Sequence, residues 1–113
     1  MTPFSITSEP LDHALAVFVR GDLDLATVPE LRAVLAEVRA KGSLRCVVDL
    51  TGCTFMDSSG SRTIALESEA FEDAGSSLAI HCPLDNRQVR FLIELVGLPE
   101  VVTVTPPRAS TDT

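Results

Sequence analysis

The chain has 113 residues, the size of a single domain, and 45% of them are apolar, enough for a real core. Aromatics make up 4%, with no Trp and no Tyr, so the core is aliphatic and a base-stacking surface for single-stranded nucleic acid is not expected. The formal charge of −7 opposes phosphate-backbone binding and suits solubility or a partner with a basic face.

The hydrophobic period changes several times along the chain. Phe4-Ser5-Ile6-Thr7 alternates like a half-exposed strand. Ser8 to His13 reads as a turn-rich connection, and Ala14 to Val19 as a buried strand ending at Arg20-Gly21. The pair is expected to form an antiparallel hairpin at a sheet edge. Thr27 and Glu30 have the spacing of a capping box, Pro29 is tolerated in a first turn, and Val28, Leu31, Val34, Leu35 and Val38 form one stripe. Gly42 stops that helix.

Leu44 to Leu50 reads as a strand, and Asp49 to Met56 as a loop leading to Asp57-Ser58-Ser59-Gly60. A second helix is expected from about Ser59 to Ala74, with a thin stripe of Ile64, Leu66, Ala70, Phe71 and Ala74. Leu78 to His81 is a strand. A third helix runs from about Asp85 to Val96, with Asp85 and Gln88 at capping spacing and Val89, Leu92, Ile93 and Val96 as its stripe. Val101 to Val104 is the last strand. Pro106 to Thr113 is rich in Pro, Ser and Thr and is expected to be a disordered tail, leaving 1–105 as the domain.

The order β-β-α-β-α-β-α-β contains three strand–helix–strand units, which call for parallel pairing with right-handed crossovers. The expected fold is α/β with two layers: a mixed, mostly parallel sheet, an antiparallel N-terminal hairpin strand, and helices packed on one face.

Met1 to Ser8 lacks a basic region followed by an apolar run, and no apolar stretch approaches the roughly 20 residues that span a bilayer. A cytoplasmic chain, monomeric alone and without a membrane or nucleic-acid partner, is expected. Cys46, Cys53 and Cys82 form neither a disulfide framework nor a C-x-x-C site and read as small buried hydrophobes. No metal-ligand cluster and no P-loop occurs, so no cofactor is expected.

The informative stretch is Val47-Val48-Asp49-Leu50-Thr51-Gly52-Cys53-Thr54-Phe55-Met56-Asp57-Ser58-Ser59-Gly60. Here the sequence resembles the anti-sigma factor antagonists, bacterial members of the STAS domain family, in which F-M-D-S-S-G joins a strand to a helix. Gly21-Asp22-Leu23-Asp24 resembles the family's G-x-L-D turn, and Val89 through Leu98 its last helix and following turn. The resemblance covers the whole folded chain. It implies that Ser58 is a phosphoacceptor and that no reaction is catalysed. It further implies a partner anti-sigma factor that is itself a serine kinase of the GHKL-type ATPase fold, and a cognate phosphatase. The unphosphorylated antagonist binds the anti-sigma factor and frees the sigma factor. Asp22, Asp24, Asp57, Ser59, Gly60 and Arg62 are the candidate partner-binding residues around Ser58.

The residues themselves leave other readings open. Ser58 or Ser59 is equally readable as a helix N-cap, Asp57 as a favourable charge at the dipole, Asp24 as a turn residue and Asp49 as a strand-end residue. The family has an aliphatic residue and then a small one after D-S-S-G, where this chain has Ser61, Arg62 and Thr63. Arg62 is placed to pair with Asp57 or with a phosphate on Ser58. The polar turn keeps open a STAS scaffold or small-ligand-binding module without phosphorylation. A serine-nucleophile enzyme would need His13 or His81 as base, and G-x-S-x-G is absent.

Overall fold

The structure is a computed structural model and describes residues 2–42, 45–95, 97 and 103–105. Its elements are β1 (Ser5–Leu11), β2 (Ala14–Leu23), α1 (Val28–Ala40), β3 (Arg45–Met56), α2 (Ser58–Asp73), β4 (Leu78–His81), α3 (Arg87–Leu95) and β5 (Thr103–Thr105). The expected order of elements and the α/β class hold.

The strands lie in the order β1-β2-β3-β4-β5. β1 is antiparallel to β2, and the remaining pairs are parallel. Because every crossover steps the same way across the sheet, one hand of connection puts all three helices on one face. The core lies between the layers. Alternate strand residues Val17 and Val19, Cys46, Val48 and Leu50, and Leu78 and Ile80 meet Leu31 and Leu35 of α1, Ile64 and Phe71 of α2, and Val89 and Ile93 of α3. All three cysteines are buried and free, as expected of small hydrophobes.

Several local expectations are corrected. β1 runs on through Glu9-Pro10 to Leu11, so the connection shrinks to Asp12-His13, with His13 at φ 61°. Pro10 is tolerated because β1 is an edge strand, where a missing N–H costs no ladder bond. β2 continues past Arg20-Gly21 to Leu23, and Asp49 to Met56 is strand rather than loop. The two extensions support each other: Arg20 pairs with Gly52, Gly21 with Cys53, Asp22 with Phe55 and Leu23 with Met56, through two irregular steps. Those steps absorb the turn-like residues that break the period.

Neither capping box forms. Thr27 makes no side-chain cap bond. Instead the Asp24 carboxylate accepts from Ala26 N (3.0 Å) and Thr27 N (3.2 Å), and Thr27 Oγ1 donates to Asp22 O (2.8 Å). Gln88 faces β3 rather than the start of its own helix.

On α2 the buried face is Ser61, Thr63, Ile64, Ser68 and Phe71, while Leu66 and Ala74 are exposed and Ala70 is half-buried. Two small serines stand where a helix would usually bury aliphatics. Ser61 Oγ donates back to Ser58 O (3.3 Å), which satisfies its hydroxyl without water. α3 begins at Arg87 instead of Asp85. Leu44, Val96, Val101, Val102 and the tail from Pro106 lie outside the described residues.

Candidate functional site

β2 and β3 run parallel and end together, so the turn after Leu23 and the turn after Met56 emerge on one rim of the sheet. Asp57 is the joint between them. Its backbone N donates to Leu23 O (3.2 Å). Its carboxylate accepts from Gly60 N through Oδ1 (3.1 Å) and from Leu25 N through Oδ2 (3.3 Å). One side chain therefore caps α2 and ties it to the β2–α1 turn. The N-cap of α2 is Asp57, neither of the serines.

Ser58 is the first residue of α2 and is exposed. With Asp57 supplying the cap, its hydroxyl makes no hydrogen bond among the described residues. Ser59 is half-buried and Gly60 is buried. A Cβ at Gly60 would lie 2.8 Å from Leu23 O and 3.0 Å from Met56 Cγ, so only glycine lets α2 start this close to the end of β2.

Asp22 is exposed on the same rim and accepts from Thr54 Oγ1 (2.7 Å). Asp24 is half-buried and committed to its own turn. Gly21 has φ +87°, and a Cβ there would lie 2.9 Å from Phe4 Cα, so it admits the N-terminal segment. Arg62 is exposed one turn beyond Ser58 and makes no ion pair among the described residues. Of the two partners expected for Arg62, Asp57 is not paired with it; the Asp57 carboxylate is turned to the backbone N–H groups of Leu25 and Gly60.

Of the polar stretch after Gly60, Ser61 and Thr63 face the core and only Arg62 faces out. The histidines lie apart from Ser58. His13 sits in the hairpin turn at the opposite end of β2. His81 pairs with Asp49, roughly 20 Å down β3 from Met56 at the rise of a strand. Among the described residues no group of His, Cys, Asp or Glu has the arrangement of a metal site. No helix among them is long and apolar enough to cross a membrane.

Three exposed apolar residues escaped sequence reading: Leu25 (74% exposed) and Phe55 (41%) on the rim, and Leu84 (66%) in the connection between β4 and α3. Phe55 was hidden by reading its segment as a loop, and Leu25 and Leu84 stand alone in polar turns with no periodic cue. Thr54 and Asn86 were missed, and Gln88 was read only as a capping residue, because their partners lie more than 30 residues away.

A family model described as "Mlab, STAS domain" matches residues 7–103. The anti-sigma-B factor antagonist of Staphylococcus aureus is 31% identical over 100 residues, spanning 88% of this chain and 91% of that protein. The crystal structure of an anti-sigma factor antagonist from Mycobacterium paratuberculosis superimposes with a TM-score of 0.78 at 25% identity, covering 95% of this chain and 88% of the other. The anti-sigma factor antagonist SpoIIAA in its unphosphorylated form has the same fold, with a TM-score of 0.74 at 19% identity over 91% of this chain and 90% of the other.

Proposed function

The chain belongs to the STAS domain family, and from that membership we propose that it is an anti-sigma factor antagonist switched by phosphorylation of Ser58. Its relatives are named for a regulatory role, not a catalytic one. In the proposed cycle, the unphosphorylated chain binds an anti-sigma factor that is also a serine kinase and so releases a sigma factor in the cytoplasm. The kinase transfers phosphate from its own ATP to Ser58, which dismisses the antagonist, and a phosphatase restores it. The chain acts as substrate and ligand in this cycle.

The observation that carries the reading is the division of labour in Asp57-Ser58. Asp57 takes the capping role, which leaves the Ser58 hydroxyl exposed and uncommitted on the first turn of α2. The surroundings suit a protein partner. Leu25 and Phe55 offer exposed apolar contacts, and Asp22, Asp24 and Asp57 add negative charge. Ser59, Gly60 and Arg62 complete the proposed contact surface.

A phosphate on Ser58 adds roughly −1.5 to −2 charges. At a helix N-terminus the fold tolerates that charge, since the first turn has free N–H groups and the positive end of the dipole. The penalty falls on the complex, where the new charge meets acidic neighbours and the partner's nucleotide. Like-charge contacts across an interface cost several kcal/mol, and about 4 kcal/mol is about a thousandfold in affinity. Arg62 faces outward one turn along and is placed to pair with the phosphate.

The test is phosphate incorporation with the partner kinase and ATP. One phosphate per chain is expected, mapping to Ser58, lost in Ser58→Ala and kept in Ser59→Ala. Incorporation that survives Ser58→Ala overturns the acceptor assignment, and no incorporation into the wild type returns the chain to the unphosphorylated scaffold reading.

A further inference from the structure

β3 outruns its neighbour. β4 pairs with it only as far as Asp49↔His81, whereas β3 continues to Met56. On the flank that β4 leaves open, two side chains from the start of α3 take its place. Gln88 Oε1 accepts from Met56 N (2.8 Å), and Gln88 Nε2 donates to Met56 O (2.7 Å). Asn86 Nδ2 donates to Cys53 O (2.8 Å). A carboxamide carries the same donor and acceptor as a peptide group, so Gln88 supplies the ladder rung that a longer β4 would have made. On the other flank, Asp57 N is held by Leu23 O. The chain thus leaves the sheet gripped on one side at Met56, two residues before Ser58, and on the other at Asp57, the cap itself.

We infer that Gln88, seconded by Asn86, is the positioning residue of the Ser58 site, an inference that rests on the phosphoacceptor reading. It acts through Met56. By fixing where β3 ends, it sets Asp57 to cap α2 and aims the first turn outward. Through this clamp α3 becomes part of the switch without contributing to its chemistry.

Two variants of matched length separate hydrogen bonding from packing. Gln88→Met removes both bonds. Gln88→Glu keeps the acceptor for Met56 N and loses the donor to Met56 O. In the isolated chain, amide hydrogen exchange read by NMR should speed up roughly tenfold at Met56 and at Gly60, the capped amide, in Gln88→Met, with Val48 unchanged. Gln88→Glu should fall between. With a serine kinase that labels the wild-type chain, both variants should lower kcat at Ser58 and leave KM within about twofold, since the contact surface survives and only the hydroxyl is misaligned.

Wild-type exchange and kcat in Gln88→Met would overturn the inference in favour of packing alone. Faster exchange at Met56 with Gly60 unmoved would overturn it too, because the clamp would then not reach the cap. If no kinase labels the wild-type chain, the acceptor reading fails, while the exchange measurement still decides whether Gln88 sets the cap.

Discussion

Two neighbouring residues, Asp57 and Gly60, build the pedestal on which Ser58 stands, and they do it by different physics. Asp57 satisfies two backbone N–H groups from separate segments, Leu25 and Gly60. Asp57→Ala should cost about 1–2 kcal/mol, the range for a lost N-cap, and loosen the β2–α1 turn as well. Gly60 acts by absence of volume. Gly60→Ala improves helix propensity yet drives a methyl toward Leu23 O, a backbone atom that cannot swing aside. Displacement of α2 and a loss of about 1–3 kcal/mol are expected, with a Tm several degrees lower by calorimetry. A Gly60→Ala protein as stable as the wild type would show that the approach of α2 to β2 is looser than described.

At the scale of the elements, the start of α1 gives a sharp discrimination. The T-x-x-E spacing suggests that Thr27 and Glu30 cap each other, but the Asp24 carboxylate holds the Ala26 and Thr27 amides of the turn that leads into the helix. Glu30→Ala should therefore change stability by less than about 0.5 kcal/mol, and Asp24→Ala should cost about 1 kcal/mol in denaturant unfolding. The reverse order would restore the capping box.

The same elements show what was legible in the sequence. Helices α1 and α3 were readable because each buries one periodic face, and strands β2 and β4 because each carries a short continuous apolar run that the sheet buries. The F-M-D-S-S-G segment was readable through its family resemblance, and it lies where β3 hands over to α2. The second half of β3 was not legible. Thr51-Gly52 breaks the alternation, and the segment is held extended by distant partners, strand β2, irregular at the same level, on one flank and Asn86 and Gln88 on the other. The inward serines of α2 were also hidden, because Ser61 pays for its burial with a local bond to Ser58 O that no hydrophobic pattern reveals. Gln88 satisfied a capping pattern and turned out to serve a strand 32 residues earlier. Long-range polar pairing leaves no periodic trace.

For the molecule as a whole, burial of its thiols sets an alkaline limit. Desolvation pushes Cys46 up to about 12 and Cys53 to about 11, from 9.0, and raises Cys82 as well. Raised folded-state values mean that the folded chain holds these protons more tightly than the unfolded one. The resulting stability is complete below about pH 9 and is lost as pH rises from there toward 11 and 12. Denaturant midpoints should fall over that window, and less steeply in Cys46→Ala than in the wild type. The folded chain should also resist thiol reagents at pH 8 and react only on unfolding.

The proposed switch would be a property of the whole fold: the sheet presents the exposed Ser58 hydroxyl at the mouth of a helix, and in that proposal a phosphate there fits the protein and repels its partner. The decisive measurement is the affinity of the anti-sigma partner for the chain carrying phosphoserine at position 58, set beside the unmodified chain, with near-identical amide spectra of the two confirming the fold. The expected result is binding weakened by about a thousandfold with the sheet unperturbed. Equal affinity of the two forms, or a phosphorylated chain that has lost its fold, would contradict the account.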